Sequence, residues 1–221
     1  MAKVFVITGH YGSGKTNFSV NLALSLKSRE PDARVTVCDL DIVNPYFRTA
    51  DFKELFGGKG ISLAAPAFAN TNLDIPALDF DMASLLYECD YFIADVGGDD
   101  AGATALGCYA EIFKGEQLEM LYVVNCYRKL TENPQEAAEL MREIEAAAQL
   151  KHTGIVNNSN LGSVTTAENV ESSVKYAEEI CRSTGLELYA TAYKRSLEVD
   201  VPKPFLCDIF VKPIWDKEMR V

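Results

Sequence analysis

The chain has 221 residues, a formal net charge of −11 and 48% hydrophobic residues. That length predicts one domain able to bury a full core, and the acidic balance argues against non-specific binding to nucleic acid or to an anionic membrane surface. No apolar run is long enough to span a bilayer. The six cysteines (Cys38, Cys89, Cys108, Cys126, Cys181 and Cys207) are scattered without a C-x-x-C pair. They predict reduced thiols of a cytoplasmic protein, not a disulfide framework or a zinc site. The apolar start of the chain reads as a strand and not as a signal peptide.

In chain order, residues 3–8 (Lys-Val-Phe-Val-Ile-Thr) are short, apolar and β-rich, as a buried strand should be. Gly9-His10-Tyr11-Gly12-Ser13-Gly14-Lys15-Thr16 follows and fits G-x-x-x-x-G-K-[ST], the phosphate-binding P-loop. Gly12 and Gly14 let the backbone turn its N–H groups inward as a nest for phosphate oxygens. Lys15 places a charge on the β- and γ-phosphates, and the Thr16 hydroxyl is a Mg²⁺ ligand. Residues 17–27 carry Phe18, Leu22 and Leu26 at helical spacing, and the positive end of that helix adds to the nest.

Further strands are expected at 34–38, 61–64, 91–95, 120–125, 154–157 and 186–190. A helix over 134–150 is signalled by Asn133 as cap, Pro134 at the first helical position and Glu136 placed for a capping box. A second is expected to start at a Thr165 cap, with Glu168 three residues on, and to end at Gly185. The segment 44–86, with Gly57, Gly58, Gly60, Pro66 and Pro76, predicts helices near 46–56 and 77–87. Residues 202–213 are punctuated by proline and read as irregular. Strands alternating with helices predict an α/β fold: a mainly parallel twisted sheet covered on both faces, in a single domain.

Strand ends in such sheets meet at one rim, beside the P-loop. The second strand runs out through Asp39-Leu40-Asp41. These two carboxylates alternate across the backbone, so they should do different jobs. The strand from Tyr91 ends Asp95-Val96-Gly97-Gly98, a D-x-x-G. Asp95 is placed to hold Mg²⁺ through its waters, and Gly98 frees the backbone to approach a γ-phosphate. Asn157-Asn158-Ser159-Asn160 ends the strand at 154–157. Where GTPases read guanine with an aspartate, Asn160 offers one carbonyl acceptor and an NH₂ that would face guanine donors. This favours ATP over GTP. Asn157, and Asn125 with Arg128, are candidates for the base or ribose.

Residues 9–16, Asp39-Leu40-Asp41 and 95–98, in this order and spacing, resemble the CobQ/CobB/MinD/ParA group of P-loop ATPases. The resemblance implies that Asp41, the second aspartate of the D-x-D, orients the attacking water. It also implies ATP-dependent homodimers in which hydrolysis switches a partner interaction. One departure stands out: the MinD/ParA branch has a signature lysine where this chain has His10. The expected catalytic set is Lys15, Asp41 and Asp39, and the metal set is Thr16, Asp39 and Asp95. The nucleotide-binding set is Gly9, Gly12, Ser13, Gly14, Lys15, Thr16, Asn17, Gly98, Asn125, Arg128 and Asn157.

Three functions are compatible with these residues. One is an ATP-controlled switch for a protein partner. The second is an ATP-dependent enzyme acting on a small carboxylic acid, similar to dethiobiotin synthetase or the CobB domain, with Arg48 and Lys53 as cations for the acid. The third is a non-hydrolysing adaptor. The short, mixed-charge tail 215–221 does not resemble the MinD membrane anchor, so no membrane or nucleic-acid partner is expected.

Overall fold

The structure, a computed structural model, describes residues 1–41, 49–65 and 81–211. Eight strands form one sheet among these residues: β1 (Lys3–Thr8), β2 (Val35–Leu40), β3 (Ile61–Ala64), β4 (Tyr91–Val96), β5 (Gln117–Val124), β6 (Gly154–Asn157), β7 (Glu187–Lys194) and β8 (Pro204–Cys207). Their order is β3-β2-β4-β1-β5-β6-β7-β8, and every neighbouring pair is parallel.

The helices are α1 (Lys15–Arg29), α2 (Lys53–Gly58), α3 (Met82–Tyr87), α4 (Asp100–Gly107), α5 (Ala110–Lys114), α6 (Pro134–Ala148), α7 (Ala167–Ser172) and α8 (Val174–Thr184). Alternation along β1 shows how they are distributed, because successive side chains leave a strand on opposite faces. Phe5 and Ile7 pack with Phe18, Leu22 and Leu26 of α1 and Phe56 of α2. Val4 and Val6 pack on the other face with Met82, Leu86, Leu106, Ala110 and Phe113 of α3, α4 and α5. Met141 of α6 and Ile180 of α8 join Tyr122, Val124 and Ile155 in a third cluster. The sheet is therefore apolar on both faces, which is why its strands read as apolar runs.

Several boundaries differ from the sequence expectation. β2 continues through Asp39 to Leu40, so Asp39 is part of the sheet. The region near 46–56 is a 3-10 turn, Thr49–Phe52, leading into α2; residues 42–48, with the candidate Arg48, lie outside the described residues. Of the helix near 77–87, the described part is α3, capped by Asp81 accepting from the Ser84 N–H at 3.1 Å. Two helices, α4 and α5, occupy a stretch rich in glycine and alanine whose pattern does not announce them.

The helix expected to start at Thr165 starts one residue later. Thr166 is its cap, in a reciprocal capping box with Asn169, and the helix breaks at Ser173 into α7 and α8. The expected caps at Asn133 and Gly185 are both in place. Part of the stretch expected to be irregular, 202–213, is instead an edge strand, β8. Pro204, its first residue, is tolerated because an edge strand needs hydrogen bonds along one side only.

Candidate phosphate-binding site

The loop between β1 and α1 is built by left-handed turns. Gly12 and Gly14 have φ of 74° and 89°, and Gly14 leads into α1 directly. A side chain at Gly14 would put its Cβ 2.2 Å from the Asn158 Nδ2, so glycine there answers both backbone and space. Two side chains from neighbouring strand ends hold the loop from outside. Asn158, beyond β6, donates from Nδ2 to the Ser13 carbonyl at 2.7 Å. Arg128, beyond β5, donates from Nε to the Gly12 carbonyl at 2.9 Å. Within the loop the Ser13 N–H donates to the His10 carbonyl at 3.2 Å, and the N–H groups of Gly12, Gly14 and Lys15 are the ones a nest would turn toward phosphate oxygens. Ser13 Oγ is buried without a hydrogen-bond partner, an orphaned polar atom inside the loop.

Lys15 is 8% exposed, and its Nζ donates to the His10 carbonyl at 3.2 Å. Burial pulls its pKa below the ordinary lysine value, while Asp95, Asp41 and Asp99 hold it up. Gly98 lies against the ammonium: a Cβ there would sit 2.8 Å from Nζ and 2.9 Å from the Tyr11 nitrogen. A larger residue at 98 would displace the lysine. His10 is half-buried, and burial together with the Lys15 charge lowers its pKa, so it is neutral at pH 7.

The carboxylates differ in environment, Asp39 within β2 and Asp41 just beyond its end. Asp39 is fully buried. It stands opposite Asp95 in the register of β2 and β4 and accepts from the Asp41 N–H at 3.0 Å. Asp41 is partly exposed and faces Gly97, with Oδ1 3.1 Å from where a Cβ on that glycine would be. Asp95 is 2% exposed and accepts from Ser19 Oγ at 3.1 Å. Burial first, and the Asp39 charge second, push its pKa up to about 7 against the pull of Lys15, Thr16 and Ser19. Asp99 caps α4 by accepting from the Gly102 N–H at 2.9 Å, and it receives the Tyr11 hydroxyl at 3.4 Å.

The structure thus brings Gly9, Gly12, Ser13, Gly14, Lys15, Thr16, Asp39, Asp41, Asp95 and Gly98 to one rim, with Arg128 on its flank. Other expected residues have their amides engaged within the fold. Asn17 donates to the Asp208 carbonyl at 3.1 Å and accepts from the N–H groups of Phe210 and Val211. Asn125 is buried, donating to the Asn160 carbonyl and accepting from the N–H groups of Tyr127 and Asn160. Asn157 is buried between Ser173 Oγ and the Ser159 N–H. Asn160 turns its own amide onto Asn158 and Gly162. Asn158, Ser19 and Asp99 were missed by sequence reasoning. Asn158 had a signal, since it lies in the strand-end run where a base reader was sought.

Fold and loop together define the class: an α/β protein with the P-loop NTPase-like fold. No family model matches the sequence, and no curated protein does. Among solved structures the chain is similar to FtsY from Mycoplasma mycoides, at 19% identity over 85% of this chain and 59% of that one, with a TM-score of 0.57. It is similar to the cell division protein FtsY from Thermotoga maritima, at 18% identity over 85% of this chain and 60% of that one, with a TM-score of 0.59. The signal recognition particle 54 kDa protein from Aeropyrum pernix, solved in complex with GDP, matches at 16% identity over 85% of this chain and 40% of that one, with a TM-score of 0.54. The chain therefore spans about three fifths or less of the length of these proteins, and at such identities the likeness is one of fold.

Proposed function

We propose that this chain is a Mg²⁺-dependent ATP-binding protein, a slow ATPase whose bound triphosphate switches its interaction with a partner. The observation that carries the reading is the buried Lys15 ammonium, set inside a loop whose Gly12 and Ser13 carbonyls are taken by Arg128 and Asn158, and drawn by Asp95, Asp41 and Asp99. In the triphosphate complex Lys15 and the loop amides stabilise charge on the β- and γ-phosphates. Thr16, Asp39 and Asp95 are the groups that would hold Mg²⁺. Mg²⁺ keeps several waters and is completed by phosphate oxygens. Asp41, the least buried acid of the D-x-D, orients the attacking water.

Hydrolysis is expected to be slow because His10, neutral and half-buried, supplies no second cation. ATP is favoured over GTP because Asn160 brings no carboxylate and its amide is turned onto its own loop. Nucleotide binding by a protein of similar fold, the A. pernix protein with GDP, supports nucleotide binding here and leaves the base to experiment.

The test is sizing of the protein with no nucleotide, with ADP and with a slowly hydrolysed ATP analogue plus Mg²⁺, alongside Lys15→Ala. A change of assembly with the triphosphate alone, lost in the variant, is the expected result. Normal ATP binding and turnover by Lys15→Ala would remove the site. A constant state with turnover appearing only on addition of a small carboxylic acid would establish the metabolic enzyme instead.

A further inference from the structure

We infer that Arg128 grips the nucleoside end of the bound nucleotide, laying its guanidinium along the purine and ribose and recognising the base by its face and not its edge. The inference rests on the nucleotide reading of the P-loop. Its first support is the polarity of the sheet. β1 lies between β4 and β5. Beyond the loop itself and Thr16, the groups suited to the terminal phosphate and its metal (Asp39, Asp95, Gly98) come from β2, β4 and the turn after β4, on one side of the loop. A triphosphate with its γ end there must carry its nucleoside end over the other side, toward β5 and β6. Arg128 is on that side, donating to the Gly12 carbonyl at 2.9 Å. The guanidinium packs against Gly12, on the flank of the loop that faces β5.

The second support is that Arg128 is held. Its N–H donates to the Asn125 carbonyl at 3.2 Å, and its own carbonyl accepts from the Thr131 N–H at 2.8 Å and from Thr131 Oγ1 at 3.4 Å. The stem rises from a closed turn, and Nε is fixed, so the exposed guanidinium has a set plane with both Nη groups beyond it. The third support is what surrounds it. The amides of Asn125, Asn157 and Asn160 are all engaged within the fold, so none reads a base edge. A planar, exposed cation suits the face of an aromatic base. The Nη donors remain for ribose hydroxyls.

The experiment titrates wild type, Arg128→Ala and Arg128→Lys with Mg-ATP, Mg-ADP and inorganic tripolyphosphate. Arg128→Ala is expected to weaken ATP and ADP by one common factor, roughly tenfold, and to weaken tripolyphosphate clearly less, by the share that the lost Gly12 contact costs the loop. Arg128→Lys, which keeps the charge and loses the plane, should fall between. Unaltered ADP binding in Arg128→Ala would overturn the inference. So would tripolyphosphate weakened as much as ATP, because Arg128 would then act on the phosphates or through the shape of the loop. The tripolyphosphate arm also reports how far the variant loop is intact. Wild type binding none of the three compounds would instead overturn the nucleotide reading itself, before any variant is compared.

Discussion

Asp95 is a carboxylate sealed between strands beside a second carboxylate, an arrangement that burdens the empty protein. Its pKa of about 7 in the fold exceeds the unfolded value of about 3.9. Between these values the folded state binds the extra proton, so this group's contribution to stability falls as pH rises from about 4 to about 7. Asp95→Asn should therefore raise the stability of the nucleotide-free protein at pH 8 by about 1–3 kcal/mol. It should also abolish Mg²⁺-dependent turnover. Chemical denaturation at pH 5 and pH 8 tests this: the variant's advantage should grow with pH. The sequence placed Asp95 and Lys15 at one rim through motif and strand-end logic. It could not show that Ser19, one helical turn beyond Thr16, donates to Asp95, because that contact depends on how α1 lies over β4.

At the scale of elements, α1 does more than close the P-loop. Asn21 accepts from the Asp208 N–H at 2.8 Å and donates to the Asp208 carbonyl at 2.9 Å. Asn17 holds the next residues, and Phe210 then meets the Phe52 ring at 6.2 Å between centroids. The segment after β8 is thus fastened across the first two turns of α1 and onto the 3-10 turn that precedes α2. Asn21→Ala removes both bonds to Asp208 and should cost about 1–3 kcal/mol. Hydrogen exchange should show faster exchange at Asp208, Phe210 and Val211, with β1 and β5 unchanged; uniform loosening of the sheet would contradict this picture. Asn17 is among the residues expected to bind nucleotide. Its real partners are about 190 residues away, and no local pattern announces them.

For the whole molecule, the buried polar links between layers set the response to acid. His152 is 4% exposed. Its ring meets Thr8 Oγ1 through Nε2 at 2.7 Å and Glu145 through Nδ1 at 3.3 Å, linking the strand that feeds the P-loop to the end of α6. Burial lowers the His152 pKa despite Glu145. The hydrogen bond from His152, with help from Lys151, holds Glu145 down at about 2. Both shifts have the same sign: the unfolded chain binds more protons. Stability should fall as pH drops below about 6.5 through His152 and again from about 4.5 toward 2 through Glu145. Melting measured from pH 8 to pH 2 should show this decline; in Glu145→Gln the part below about pH 4.5 should be lost, while the part through His152 should deepen, because the carboxylate that holds the His152 pKa up is gone. An identical slope in the variant would remove the network from the account. No helix among the described residues is long and apolar enough to cross a membrane.

By itself the sequence determined the local matters: the strand–loop–helix around Lys15, the parallel α/β class, the caps at Asn133 and Gly185, and the acids at strand ends. These follow from backbone geometry and from side-chain periodicity over a few residues, which a sequence carries directly. The tertiary structure alone decided which side chains meet across the sheet: Asn158 and Arg128 on the loop carbonyls, Asp39 facing Asp95, the asparagines engaged with one another, and β8 as a strand. Each of these depends on strand order and register. Those are settled by the packing of both faces of the sheet at once, through contacts between residues distant in the chain.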